Sequence, residues 1–172
     1  EAADAGEPLQ ERFRSLFRKR PEPTGSDSSG ILVGGVGDVM VRFGGCCDPL
    51  PGDDVLGFVT RGRGVTVHAR GCARVFELDP QRRIDVQWDA EKAVPRKVSI
   101  RITSRDRTGI LAKITNAISA ASINISTVKV SVDDKDHSVQ TYELWVSNTK
   151  VLNAVMKELS RVKGVLSVDR IR

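Results

Sequence analysis

Four residues in the stretch "GGCCDPLPGDDVLGFVTRGRGVTVHARGC", residues 44–72, carry a thiol or an imidazole: Cys46, Cys47, His68 and Cys72. Thiolate and imidazole are good zinc donors, and four of them are what a closed tetrahedral site takes. The spacing is less usual. A zinc knuckle normally separates paired cysteines by about two to four residues so that both sulfurs turn inward, and the adjacent Cys46 and Cys47 can do this only if the backbone bends at Asp48-Pro49. The competing reading makes the cysteines small buried apolar residues. A third reading, a cysteine nucleophile with His68 as its base, lacks any group to orient the imidazole.

The same stretch carries Arg61, Arg63, Arg70 and Arg74 inside residues 55–76, a run without one acidic residue. Arg61 and Arg63 sit in "RGRG", where glycine removes side-chain bulk and each guanidinium offers a two-pronged phosphate contact. This pattern suits nucleic-acid backbone as a partner, and a solvated loop of arginines is the plain alternative. Little aromatic residue is interleaved, so backbone and shape would be recognised rather than base sequence.

The chain of 172 residues is 40% hydrophobic with a net charge of +5, enough for one medium core or two small ones. Residues 31–96 carry nine Lys/Arg against nine Asp/Glu, whereas residues 97–172 carry thirteen against seven, so the excess lies in the last part. No apolar run is long enough to cross a membrane and the first residues lack a signal-peptide pattern, so we expect a cytoplasmic protein with no membrane partner. Three cysteines, two of them neighbours, fit a reducing compartment.

Residues 1–30 read as an amphipathic helix, with Leu9, Phe13, Leu16 and Phe17 at helical spacing, followed by the flexible linker "PEPTGSDSSG". They look like the tail of something upstream, which makes the chain a piece of a larger protein. Residues 31–94 form a small β-rich module with strands at "VMVRF", "VLGFVT", "VTVH" and "IDVQW" and a short helix near "CARVFEL". Residues 95–172 follow the order βαββαβ: "KVSIRIT", a helix with Ile110, Leu111, Ile114 and Ile118 on one face, "INISTVKVSV", a turn at "DDKDHS", "VQTYELWVS", a helix with Leu152, Val155, Met156 and Leu159 inward, and "VLSVDRI". The fold class is therefore α+β, with a ferredoxin-like second half whose two helices cover one face of a four-stranded antiparallel sheet.

Within that second half, "RITSRDRTGILAKITNAISAASINISTVKV" resembles an ACT domain, through Asp106, Arg107, Gly109 and Leu111 at the first helix and Ile123, Asn124 and Ile125 at the second strand. The preceding stretch resembles the cysteine-containing zinc-finger-like, or inserted, domain that comes before ACT in the RelA/SpoT family of (p)ppGpp synthetase/hydrolases. The order of the two is more specific than either alone. The resemblance implies a regulatory region without catalytic residues, attached to upstream catalytic domains that act as a GTP diphosphokinase and (p)ppGpp 3'-pyrophosphohydrolase. The chain itself has only His68 and His137, no His-Asp metal pair, and in "GGVGDV" no phosphate-loop lysine. The ribosome and deacylated tRNA are the implied partners, as reporters of amino-acid starvation.

An ACT domain also implies a homodimer and an amino-acid effector. Asp106, Arg107, Thr108, Gly109, Ile110 and Leu111 form the turn into a helix N-terminus, which favours a carboxylate. Asp106 would meet the ammonium, and Asn124 with Ile125, expected beside that turn, would complete the site. The aliphatic surroundings Ile110, Leu111, Ile123 and Ile125 select valine, isoleucine or leucine. In the alternative reading Asp106 caps the helix and Asn124 only ends a turn. ACT needs no cofactor, and zinc in residues 31–94 is the one metal expected. The runner-up function is an ACT-type regulatory module of a metabolic enzyme with no ribosome role.

Overall fold

The structure, a computed structural model, describes residues 29–34, 39–92, 94–133 and 137–171. The helix and linker expected over residues 1–30 lie almost wholly outside that set, as does the tip of the "DDKDHS" turn.

The first module is built on two small sheets. Strands β1 (Ile31–Val33) and β6 (Val86–Trp88) pair antiparallel. Strands β2 (Val41–Phe43), β3 (Val55–Thr60), β4 (Gly64–Ala69) and β5 (Arg83–Ile84) form a second sheet in the order β2-β4-β3-β5, with β2 parallel to β4. Ile31, Val33, Val55, Val65, Val67 and Val86 form its core. β-branched side chains dominate because they fit a pleated, half-buried surface. The strand at Ile31–Val33 was not among those expected from sequence, since three residues are too few to show alternation. The expected short helix appears as a 3-10 turn, Ala73–Glu77.

The second module has the expected order: β7 (Arg96–Arg105), α1 (Ile110–Ala120), β8 (Asn124–Val132), β9 (His137–Val146), α2 (Thr149–Ser160) and β10 (Val165–Ile171). The sheet runs β10-β7-β9-β8 with every neighbouring pair antiparallel. Period-2 alternation in β9 puts Ser138, Gln140, Tyr142, Leu144 and Val146 inside, under Ile110, Ile114 and Ile118 of α1 and Leu152, Val155 and Leu159 of α2. Leu111, expected on the buried face, is 42% exposed, and Met156 lies at the edge of the core. Asn148 caps α2 through its side chain, which accepts from the Val151 N–H at 2.9 Å.

The core of this second module also contains Leu50, fully buried and contributed by the first. Residues 48–53 leave the β-rich module and plug into the ACT-like half. The Arg170 guanidinium donates to both carboxylate oxygens of Asp53, at 3.0 and 2.8 Å, and to the Asp48 carbonyl at 2.9 Å. The Arg96 Nε donates to the Pro49 carbonyl at 3.0 Å, and the Thr149 N–H at the start of α2 donates to the Pro51 carbonyl at 2.9 Å. Gly52 lies with φ 97° against the Thr149 side chain, in space that a Cβ would fill. The boundary expected near residue 95 divides the chain by sequence, but the packing interlocks the two halves.

Candidate metal centre and surrounding surfaces

The bend anticipated after the paired cysteines is present. The Cys47 and Asp48 N–H groups both return to the Gly44 carbonyl, at 3.2 and 3.1 Å, and Asp48 takes a left-handed φ of 37°. This wraps residues 44–48 into a knuckle at the end of β2, facing His68 and Cys72 at the end of β4. The ligand atoms of Cys46, Cys47, His68 and Cys72 all lie within 4.8 Å of one another. Cys46 Sγ stands 3.4 Å from Cys72 Sγ, 4.0 Å from Cys47 Sγ and 3.3 Å from His68 Nδ1, and Cys47 Sγ is 3.7 Å from His68 Nδ1.

A tetrahedral zinc with Zn–S near 2.3 Å and Zn–N near 2.0 Å spaces its ligands roughly 3.5–3.8 Å apart. The four separations just given lie within a few tenths of an ångström of that spacing. Gly44 makes room for it: a Cβ there would come within 2.5 Å of the His68 ring. The donor set therefore fits zinc, held by three thiolates and the His68 Nδ1. Four protein ligands close the coordination shell, so such an ion supplies structure rather than an open catalytic position.

The electrostatics describe three thiols around one imidazole. Burial raises the Cys46 thiol, helped by its hydrogen bond with Cys72. Burial likewise pushes Cys47 up to about 12, against the partial relief of the Ala69 N–H at 3.3 Å. At Cys72 burial also acts upward, but donation from Cys46 and the nearby N–H groups of Arg74 and Val75 outweigh it, so its thiol is lowered. Burial lowers His68, which keeps the imidazole neutral and able to bind metal.

The four arginines do not form one patch. Arg61 and Arg63 lie exposed at the tip of the β3–β4 hairpin, and Arg70 and Arg74 lie at its other end, beside the cysteines. Five strand residues separate the ends by about 16 Å. Arg70 is also tied to Asp54 at 2.5 Å.

The expected amino-acid site divides as well. Asp106, Arg107, Thr108 and Gly109 form the exposed turn into α1; Gly109, with φ 82°, is the N-cap, and no side chain caps the helix. Asp106 is thus not engaged as a cap. Asn124, however, pairs with Trp145, which pairs in turn with Lys97 at the start of β7, whereas Asp106 follows Arg105 at its far end. Eight strand residues place the two about 26 Å apart along the sheet. The expectation that Asn124 lies beside the turn is overturned for a single chain. Helical spacing shows a face but not which end of a sheet a strand begins from, and the parallel relation of β7 and β8 decides that. Ile110 and Ile123 are core residues, 7% exposed each, and Ile125 packs against that core.

Two groups escaped the sequence reading. One is the strap of Asp48 to Asp53 with Arg96 and Arg170; the only trace was the Pro-Leu-Pro rhythm of "DPLPGDD", which reads as a turn. The other is a groove beside α1 lined by Arg105, Arg107, Lys113 and Lys163. The charge excess of residues 97–172 signalled it without locating it.

Comparison with known proteins agrees with this architecture. The RelA/SpoT RIS domain family matches residues 31–89, and the ACT domain family matches residues 92–170. The chain carries the RIS–ACT pair of the RelA/SpoT proteins. A GTP pyrophosphokinase of Myxococcus xanthus is 47% identical over 85% of this chain and 19% of its own length. That of Escherichia coli strain K12 is 31% identical over 88% of this chain and 21% of its own length. The chain thus spans about a fifth of these relatives. The solved ACT domain of the Chlorobium tepidum GTP pyrophosphokinase is 31% identical over 45% of this chain and 99% of its own, with a TM-score of 0.41. The RIS–ACT pair is a regulatory region and not a catalytic domain. Among the described residues no helix is long and apolar enough to cross a membrane.

Proposed function

We propose that this RIS–ACT unit regulates a (p)ppGpp synthetase/hydrolase by contact with the ribosome and deacylated tRNA. The observation that carries the reading is the pair of exposed arginines at the β3–β4 tip, on a domain tied to ACT by the Asp48–Asp53 strap. A contact made at Arg61 and Arg63 can reach ACT through the strap, because Asp53, Leu50 and Pro51 engage β10, the ACT core and α2 together. Arg61→Glu with Arg63→Glu tests it. Ribosome association weakens, and the slope of log affinity against log salt falls by about one for each phosphate that is no longer neutralised. Unchanged affinity and slope would remove the hairpin from the interface.

A second input, a valine, isoleucine or leucine bound to ACT, is supported by the sheet edge. Val128, Val130 and Val132 of β8 are 37%, 49% and 55% exposed and pair opposite Tyr142, Gln140 and Ser138, so they share the helix side. An unpaired edge strand with an apolar row invites a second copy. Antiparallel pairing of two β8 strands brings the partner's β8 start to the end of the sheet where Asp106 lies, so a site using Asp106 and Asn124 forms across a homodimer seam. Calorimetry with the three amino acids and serine as control, together with sedimentation, tests both parts. A monomer that binds none of them at millimolar concentration rules this input out, and amino-acid binding without any ribosome association favours a metabolic regulatory module instead.

A further inference from the structure

Beside the N-terminus of α1, on the side away from β8, a groove of about 520 Å³ runs between the α1 turn and the start of β10. Arg105, Arg107, Lys113 and Lys163 line it with no acidic residue among the lining groups, and Ile110, Val165 and Leu166 make its apolar floor. Among the described residues, none of these four side chains has an ion pair or hydrogen bond. Four like charges around one concavity repel each other, and an anion relieves that repulsion where a low-dielectric floor limits screening by water. The cations come from β7, the turn after it, α1 and the α2–β10 loop, so the fold itself converges them. Elsewhere among the described residues Arg70, Arg82, Arg161 and Arg170 each have a carboxylate partner, whereas Arg61 and Arg63 have none; what sets the groove apart is that four cations converge on one concavity.

We infer that this groove binds a ligand carrying two or more phosphate groups. A single carboxylate would leave most of the positive charge unmatched, whereas a run of phosphates presents several acceptors to two guanidinium forks and two ammonium groups. Thr108 adds a hydroxyl at the rim. The lining has no aromatic ring, so nothing is placed to stack a base, and the phosphates are what the groove selects. Free oligophosphate and the backbone of an RNA strand share this chemistry. The groove is distinct from the arginine hairpin; it shares Arg107, Thr108 and Ile110 with the turn of the expected amino-acid site but uses neither Asp106 nor Asn124.

Two probes on the full chain test it: tripolyphosphate by calorimetry and a short RNA hairpin by fluorescence anisotropy at two salt concentrations. Arg107→Gln with Lys163→Gln weakens binding by about tenfold or more and makes the salt dependence shallower, while Lys157→Gln, on the exposed side of α2, leaves it unchanged. All the variants keep the cysteine cluster, so any chelation of metal by the probe is common to them. The replaced side chains are exposed, and the unfolding midpoint confirms that the fold is retained. Binding of tripolyphosphate alone assigns the ligand to free oligophosphates, and binding of RNA alone assigns it to nucleic-acid backbone. The inference is overturned if neither probe binds, or if the double variant binds as tightly as the original chain.

Discussion

The Asp53 carboxylate and the Arg170 guanidinium, 117 residues apart in sequence, meet in a two-pronged ion pair at 2.8 and 3.0 Å, with both side chains almost sealed from solvent. Asp53 also accepts the Leu50 N–H at 2.8 Å, so one carboxylate holds both the strap's own turn and the last strand of ACT. Among the described residues the buried Arg170 Nε has no hydrogen-bond partner. Desolvation offsets much of the attraction within such a pair, so its expected role is to fix the register of the two domains more than to add net stability.

Asp53→Ala leaves the Arg170 charge buried and unmatched, which costs roughly 3–5 kcal/mol. The more telling effect is on cooperativity. In a Trp145→Phe background, where Trp88 is the one remaining indole and reports the RIS half through its bond to the Asp53 carbonyl, urea unfolding followed by fluorescence and by far-UV circular dichroism gives coincident transitions, and Asp53→Ala separates them. Coincident transitions in the variant would show that the strap does not couple the halves.

Local pattern made the ACT half legible, because helix and strand periods were regular over ten-residue elements and the turn residues agreed with them. The metal cluster was legible by type and count, though the knuckle depends on a left-handed Asp48 that spacing does not announce. Interactions that join distant segments stayed hidden. Asp53 with Arg170, and Leu50 in a foreign core, are set by how two finished domains dock, and Asn124 was misplaced because strand order fixes which end of the sheet it occupies.

The cysteine cluster gives the metal-free chain a narrow pH range. Cys47, raised to about 12 by burial, favours the folded state as a neutral thiol: that stability is fully present below the unfolded value near 8.5 and is lost as pH rises from there toward 12. His68 acts at the other side. Its folded value is lowered, so its contribution is present above about 6.5 and is lost as pH falls below it. Thermal unfolding of chelated protein has its highest midpoint between about 6.5 and 8.5. Zinc displaces the thiol protons, so its apparent affinity rises with pH and the loaded protein resists alkaline unfolding. Stoichiometric zinc that disappears on Cys46→Ser or Cys72→Ser supports the site, and zinc-free protein from chelator-free purification contradicts it.

Tyr142 is fully buried in β9 and donates to the Gln140 Oε1 at 2.7 Å, while the Gln140 Nε2 donates to the Ser138 Oγ at 3.1 Å. Tyr142→Phe keeps the ring but strips Gln140 of its donor, costing about 1–3 kcal/mol. Gln140→Leu with Tyr142→Phe removes both polar ends and recovers part of that loss. A double variant no more stable than Tyr142→Phe alone would mean the chain of bonds is not what the single change breaks.

Leu50 gives the sharpest test of where one domain ends. It belongs to the RIS stretch by sequence, directly after the metal knuckle, yet packs with Val98, Ile100, Tyr142, Leu152 and Leu159 in the ACT core. Leu50→Ala empties that place and costs roughly 2–5 kcal/mol, depending on how far the helices collapse into the space. The loss appears as faster hydrogen exchange in β7, β9 and α2, with the β3–β4 hairpin protected as before. A fragment of residues 95–172 lacks the side chain altogether and exposes the same cavity, so it unfolds at lower urea than the ACT half does in the intact chain. Equal stability of fragment and intact ACT half, or exchange confined to the RIS strands in Leu50→Ala, would return Leu50 to the first domain and reduce the strap to a surface contact.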